Sequence, residues 1–88
     1  MLTPVFTRQF ARDLKRMQKR GKDRERIKSV IRALIETGHL DPIHRDHALL
    51  GGWQGRRECH IESDWLLIYK REENRIVFER TGTHADLF

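Results

Sequence analysis

The sequence predicts an α+β domain in which an N-terminal helix hairpin packs on a small antiparallel sheet, in the order β-α-α-β-β-β. Apolar residues recur at helical spacing in the first half of the chain, and three short β-type runs follow one another in the second half. Helices grouped before strands are typical of this class, since each helix has one apolar face that must be covered. With 88 residues, the chain is expected to form a single domain, residues 1–88.

The first element predicted is a short strand at LTPVF, residues 2–6, where Pro4 favours an edge position because it cannot donate to a ladder. Thr7 is a suitable N-cap for the helix that follows. Gly21 supplies the stop of that helix. Its buried face is marked by apolar residues spaced four and three apart, namely Phe10, Leu14 and Met17.

A second helix is predicted from the cap Asp23 to the stop at Gly38. The link between the two helices is short, so they should run antiparallel as a hairpin. The second helix has the clearer apolar stripe, formed by Ile27, Val30, Ile31, Leu34 and Ile35.

Residues 39–55 are predicted to be a loop, since they hold a proline and three glycines. Three strands follow, at 56–61, 65–70 and 75–81, joined by the short polar turns ESD and EEN that favour antiparallel hairpins. The strand from Trp65 is apolar on both faces and is therefore expected to be central.

Composition indicates a partner of opposite charge. Eighteen Lys and Arg against thirteen acids give a net charge of +5 and a pI near 10.0. This favours nucleic acid or an acidic protein as partner, although a solvated basic surface is the simpler alternative. The lone Cys59 excludes an internal disulfide and fits a reducing compartment. No apolar run is long enough to span a membrane and no secretory signal is visible, so a cytoplasmic protein is expected.

Titratable residues are expected to converge at one edge of the sheet. His60 shares a strand face with Glu58, Asp64 lies in the following turn, and His84 comes just after the last strand. Arg80 is expected on the face of Ile76 and Phe78, with Thr81 opposite the region of Asp64 and Trp65. His47 could join them if the long loop folds over that face.

Such a set has the parts needed to cut RNA without a metal. Imidazoles can take and give protons near neutral pH, Arg80 can stabilise charge on the phosphorane, and Phe88 can stack on a base. Each histidine taken singly is also compatible with a hydrogen-bonding surface residue. A metal site is disfavoured, because His44-x-x-His47 lies beside Pro42 with no third ligand at fixed spacing. No cofactor is expected.

Two long stretches, RDHALLGGWQGRRECHIESDWLLIYK at 45–70 and FERTGTHADLF at 78–88, carry a resemblance to a known family. They contain the ordered patterns D-H-x-L-x-G, R-x-x-H-x-x-x-D-W-x-L-I-Y and E-R-x-G-x-H-x-x-L-F. On these patterns the chain resembles the YafQ branch of the RelE/ParE toxin superfamily over its whole length. The family's helix hairpin and antiparallel sheet agree with the fold predicted above.

The resemblance implies a toxin of a type II toxin–antitoxin system that cuts mRNA in the ribosomal A site, without metal, and is silenced by a co-expressed antitoxin. The expected partners are thus mRNA, the ribosome and a cognate antitoxin protein. The positions that match the family's catalytic and substrate-placing residues are His47, His60, Asp64, His84 and Phe88, and Arg80 falls where a phosphate-stabilising arginine is expected. Trp65 is open to two interpretations, an apolar anchor beside the site or a substrate-binding group that stacks on a base. His39 and His44 match no functional motif and are expected to be surface residues.

Two other functions remain open on sequence. The gyrase-poisoning branch of the same superfamily shares the fold without the His/Asp/Phe set. A basic RNA- or ribosome-binding module with no chemistry would explain the charge without any active site.

Overall fold

The computed structural model describes every residue from Met1 to Phe88. Its strands are β1 (Thr3–Phe6), β2 (His47–Ala48), β3 (Arg57–Glu62), β4 (Trp65–Arg71) and β5 (Arg75–Gly82). Its α-helices are α1 (Arg8–Lys19), α2 (Arg24–Glu36) and α3 (His84–Leu87). A helix hairpin followed by a sheet confirms the predicted α+β class. None of the helices has the length and apolar character that a membrane crossing requires.

The five strands form one sheet in the order β1-β5-β4-β3-β2, with β4 at the centre as predicted. Strand β1 pairs parallel to β5, so the sheet is mixed rather than antiparallel throughout. Pro4 lies at the edge, as expected. The backbone N–H of Thr3 donates to the carbonyl of Asn74, just before β5, at 3.0 Å, and that of Thr7 donates to Phe78 of β5 at 3.2 Å. Since successive residues of a strand point their N–H groups to opposite sides, the position where Pro4 lacks an N–H faces the open edge of the sheet.

The helix hairpin covers one face of the sheet. The Thr7 hydroxyl accepts the N–H of Phe10 at 2.9 Å and the Asp23 carboxylate accepts that of Glu25 at 2.9 Å, so both predicted caps are confirmed. Each such cap is worth about 1 kcal/mol. The core beneath the helices contains Phe10, Met17, Ile27, Val30, Leu34, Cys59, Ile61, Trp65, Leu67, Tyr69, Ile76 and Phe78.

A second, smaller apolar cluster covers part of the opposite face. Leu66 and Ile68 of β4 are fully buried there against Leu87, with Leu49 and Trp53 packed around them. The cluster forms because the residues after Gly82 turn into α3, a helix that was not predicted from the sequence. The C-terminal helix therefore lies on the face of the sheet opposite the helix hairpin.

A β-bulge reverses the facing of residues near the end of β5. Tyr69 pairs with Phe78, but the residue before it in β4, Ile68, pairs with Arg80 and not with Glu79. Glu79 is therefore the extra residue of the bulge. The prediction that Arg80 shares a face with Phe78 is therefore wrong, because a bulge interrupts the alternation of period two. The expected register is displaced by two residues: Thr81 pairs with Leu67 instead of the region of Asp64 and Trp65, although its hydroxyl still accepts the Trp65 indole N–H at 2.9 Å.

The segment 39–55 is more ordered than the predicted loop. It contains the 3-10 turns Pro42–His44 and Gly51–Trp53, and between them β2 pairs with β3. His47 stands directly opposite Glu58 in that pairing. This short strand places a histidine from the connecting segment on the sheet.

Candidate functional site

Three imidazoles form a row on the sheet face opposite the helix hairpin. The ring centres of His47 and His60 are 6.4 Å apart, and those of His60 and His84 are 6.0 Å apart. The row continues to Phe88, whose ring centre is 6.3 Å from that of His84. These residues come from β2, β3 and the C-terminal segment, so the fold brings together side chains 41 positions apart in the sequence (47 to 88).

His84 is held by Asp64 from the turn between β3 and β4. One carboxylate oxygen, Oδ1, accepts both the backbone N–H of His84 at 2.9 Å and its ring Nδ1 at 2.7 Å. These two hydrogen bonds hold the pKa of Asp64 below its ordinary value. Because an ionised carboxylate only accepts, Nδ1 carries the proton and Nε2 is left to exchange a proton with a substrate.

His47 has an oxygen acceptor at each ring nitrogen. Its Nδ1 lies 2.7 Å from the carbonyl oxygen of Arg45, and its Nε2 lies 3.0 Å from Glu58 Oε2. An imidazole donates from both nitrogens only in its protonated form. Each ring nitrogen of His47 thus has an oxygen to which it can donate when it carries a proton.

Glu58 is a site residue that the sequence argument did not single out. It is only 5% exposed, and its second carboxylate oxygen, Oε1, is buried with no hydrogen-bond partner. Burial of a carboxylate normally requires a compensating partner, and the one it has is His47. The strand alternation that placed Glu58 on the face of His60 was the signal that could have identified it.

His60 lies between the other two histidines. Its Nδ1 is 3.3 Å from the carbonyl oxygen of Ser63, and its own carbonyl oxygen is 2.8 Å from His44 Nδ1. His44 is therefore partly buried and fastens the preceding turn to β3, rather than lying free on the surface as expected. His39 is exposed.

Arg80 does not point freely into the row of imidazoles. Its Nε donates to Asp13 Oδ2 at 2.7 Å and its Nη2 lies 3.3 Å from Oδ1, so helix α1 holds the guanidinium. The Asp13 side chain is completely buried and the Arg80 side chain keeps 26% of its surface. The third nitrogen, Nη1, is the part of the guanidinium that Asp13 does not engage.

The two aromatic side chains considered for substrate contact differ in exposure. Phe88 is 60% exposed and meets Trp53 edge-on, with ring centres 6.1 Å apart. Trp65 has no exposed surface and donates its indole N–H to the Thr81 hydroxyl at 2.9 Å within the core. A buried ring offers no face to a base, so Trp65 is an apolar anchor and its substrate-binding interpretation does not fit the structure.

The site therefore has imidazoles with distinct proton environments, a carboxylate at each end of the row and an exposed ring.

The family model described as "Bacterial toxin of type II toxin-antitoxin system, YafQ" matches residues 2–88. The chain belongs to the YafQ family.

Individual relatives of the YafQ family agree with this assignment. The mRNA interferase toxin YafQ of Escherichia coli K12 is 45% identical over 84 residues, which are 94% of this chain and 91% of that protein. The crystal structure of the E. coli DinJ–YafQ complex matches with a TM-score of 0.93 and 42% identity, over 100% of this chain and 99% of that chain. A crystal structure of a metal-bound toxin from Helicobacter pylori matches with a TM-score of 0.91 and 38% identity, over the full length of both chains. The predicted toxin class is thus confirmed, and the name of the E. coli K12 relative agrees with the predicted endoribonuclease activity.

Proposed function

We propose that this toxin is a cytoplasmic, ribosome-dependent endoribonuclease, which cuts mRNA in the ribosomal A site by acid–base catalysis without a metal and is silenced by a cognate antitoxin. The observation that carries the proposal is the row of three imidazoles about 6 Å apart, which ends at an exposed aromatic ring. The name of the E. coli K12 relative, mRNA interferase toxin, supports the choice of mRNA as substrate.

The reaction needs two proton transfers on opposite sides of one phosphate. A base takes the proton of the ribose 2′-hydroxyl, whose oxygen attacks the phosphorus; the bond to the 5′-oxygen then breaks as that oxygen takes a proton from an acid. His84, with Nδ1 fixed by Asp64 and Nε2 open, fits the role of the base. His47, which has an acceptor at each nitrogen, fits the role of the acid. His60 stands between them, where it can hold the phosphate.

Charge and stacking supply the remaining parts. Asp13 binds the edge of the guanidinium formed by Nε and Nη2, which leaves Arg80 Nη1 available to stabilise the phosphorane. Phe88 offers an exposed ring for a base, and such stacking is worth roughly 1–3 kcal/mol. We assign the catalytic roles to His47, His60, Asp64, His84 and Arg80, and the substrate contact to Phe88.

Docking on the ribosome is assigned to the outer side of α1. The helix carries exposed Arg8, Arg12, Lys15, Arg16 and Lys19 away from its buried stripe. Each phosphate contact releases counterions, so binding should weaken steeply with salt. A flat dependence of ribosome affinity on salt contradicts this assignment.

The antitoxin is assigned to an apolar groove between α1 and α2. The groove has a volume of about 720 Å³; Phe6, Phe10 and Leu14 are among its lining residues, and Lys15, Lys28 and Arg32 stand at its rim. This chemistry suits an amphipathic segment with acidic flanks. The DinJ–YafQ complex supports an antitoxin partner for this chain. Added antitoxin should protect the amides of both helices from hydrogen exchange, and protection confined to the sheet would place the interface elsewhere.

The experiment that tests the function is primer-extension mapping of mRNA 5′ ends after the purified protein is mixed with translating ribosomes. The variants are His84→Ala and a chain ending before Phe88, and the matched control is His39→Ala, which removes an exposed histidine outside the row. We expect in-frame cuts with wild type and the control. His84→Ala should cut about 10²–10⁴-fold more slowly, since positioned acid–base groups contribute that much.

The other outcomes separate the alternatives. No cuts by wild type would leave a gyrase poison or a binding module, which a supercoiling assay distinguishes. Cuts that survive in both variants would place the chemistry on other residues.

No group of three or more His, Cys, Asp or Glu side chains lies close enough to hold a metal ion. Cleavage by toxin that was treated with chelator and freed of it before being added to the ribosomes supports metal independence. If cleavage by the treated toxin, compared with untreated toxin on the same ribosomes, returns only when metal is added back to the toxin, metal independence is contradicted.

A further inference from the structure

Helix α3 carries His84 and leads into Phe88, yet it is too short to be stable by itself. It spans only four residues, His84–Leu87, at the end of the chain. The first turn of a helix is costly to form, and helices shorter than about 12 residues are marginal in isolation. Contacts from outside the helix must therefore hold the catalytic end of the chain in place.

Asp86 makes one set of those contacts. Its Oδ2 accepts the backbone N–H of Thr83 at 3.0 Å and Arg20 Nη1 at 2.7 Å, and its Oδ1 accepts Arg20 Nη2 at 3.2 Å. In return the Thr83 hydroxyl accepts the N–H of Asp86 at 3.2 Å, which completes a capping box. The hydrogen bonds from Arg20, and then that from Thr83, hold the pKa of Asp86 well below its ordinary value.

Both ends of this contact are fixed by the fold. Arg20 is the C-cap of α1, and its backbone N–H bonds back to the last turn of that helix. On the other side, a Cβ built on Gly82 would lie 3.0 Å from the Asp86 side chain, so a larger residue at position 82 would require that side chain to shift. Leu87 packs on Leu66 and Ile68 of the sheet. The pair thus links the rigid end of α1 to α3 across 66 positions of sequence.

We propose that Arg20 and Asp86 are positioning residues for cleavage, acting as a clamp that holds His84 against Asp64 and keeps Phe88 in line with the imidazoles. This inference rests on the proposed nuclease function. The clamp complements Asp64: Asp64 holds His84 from the turn between β3 and β4, and Asp86 holds the same short helix from α1. Arg20 then acts through Asp86 and not as a phosphate contact.

The test compares Arg20→Met, Asp86→Asn and the double variant in single-turnover cleavage on programmed ribosomes. Asn keeps a carbonyl oxygen for the Thr83 N–H, so Asp86→Asn removes mainly the charge pair. We expect both single variants to lower the cleavage rate by about 10- to 100-fold, since a misplacement of about 1 Å can cost that much. Ribosome affinity should change little, and the double variant should cut no more slowly than either single one.

Two features of the experiment distinguish a positioning role from a phosphate contact: a matched control variant and the opposite charges of Arg20 and Asp86. Arg75→Met removes the arginine of another ion pair, with Glu72 at the far end of β5, and should cut like wild type. If Arg20 were a phosphate contact, Arg20→Met would weaken ribosome binding while Asp86→Asn would strengthen it or leave it unchanged. That pattern, or wild-type cleavage by Asp86→Asn, overturns the clamp.

Backbone ¹⁵N relaxation of the free protein tests the clamp without any cleavage assay. In wild type, residues 84–88 should have order parameters near the rigid value of about 0.85, and in each single variant they should fall below about 0.6. Residues of the sheet should be unchanged, which also shows that the variants fold. Rigid ends in both variants overturn the proposal. If wild type cuts no mRNA, the proposed function fails, and the relaxation data still decide whether the clamp exists.

Discussion

Substitution of Asp13 by asparagine is expected to be among the most destabilising conservative changes in this protein. The Asp13 carboxylate has no exposed surface and accepts four hydrogen bonds. Arg80 Nε at 2.7 Å and the backbone N–H of Thr81 at 3.1 Å share Oδ2. Arg80 Nη2 at 3.3 Å and Gln9 Nε2 at 3.0 Å share Oδ1.

The magnitude follows from this geometry. Asparagine keeps the shape but replaces one oxygen with an NH₂ group, so in either orientation two donors face another donor. The Arg80 guanidinium also loses its countercharge. Removing one partner of a buried pair costs about 3–5 kcal/mol, and we expect about 3 kcal/mol because Arg80 keeps some contact with water. In a domain of this size each kcal/mol shifts Tm by about 4–8 °C, so Tm should fall by about 12–24 °C.

Urea unfolding followed by circular dichroism measures this loss, with the slope on urea expected to stay constant. The matched control is Asp23→Asn, because asparagine caps a helix as well as aspartate and should leave the stability of the protein nearly unchanged. Adding Arg80→Met to Asp13→Asn should cost less than the sum of the two single losses, since the unpaired charge is then gone. A loss below about 1 kcal/mol for Asp13→Asn would falsify the view that this buried pair anchors the end of β5.

Three further expectations follow from the site and the core. Glu58→Gln removes the carboxylate that faces His47. Single-turnover cleavage at neutral pH should therefore slow by about 10-fold or more, with ribosome affinity unchanged. A wild-type cleavage rate in this variant contradicts the acid role of His47. Hydrogen bonds lower the pKa values of Asp64 and Asp86 in the folded protein. The stability that these two carboxylates contribute is therefore complete above the ordinary aspartate pKa of about 3.9 and is lost as pH falls through the lower folded values. Tm should fall when it is measured from pH 7 down to 2.5, and a rise in Tm would refute the expected direction of this pH dependence. Burial raises the pKa of the Cys59 thiol, so iodoacetamide should label it slowly in the native protein and quickly in urea, as read by mass spectrometry, whereas equal rates would mean that the core opens readily.

Much of the fold could be predicted because its signals are local. The caps Thr7 and Asp23 lie within three residues of the N–H groups that they accept, and the apolar stripes of both helices repeat within one or two turns. The central place of β4 follows from its apolar residues on both faces. Local periodicity of this kind is visible in the sequence because the partners that matter are near neighbours along the chain.

The histidines and Asp64 of the candidate site were also predictable, from strand alternation, the turn after β3 and the family patterns. The sequence therefore determined which residue types gather on one face. It did not determine which hydrogen bonds each would make. The pairing of His47 with Glu58 depends on β2, a strand of two residues whose own sequence carries no β signal.

Only the tertiary structure decided what Arg80, Trp65 and α3 do. A single bulged residue, Glu79, breaks the alternation that would place Arg80 beside Phe78, and the Arg80 guanidinium is held by Asp13 of α1, 67 positions away. The ion pair between Arg20 and Asp86 joins the end of α1 to α3 across a similar separation. Such pairs form because strand register and helix packing bring distant positions together, and that information belongs to the whole fold rather than to any stretch of residues.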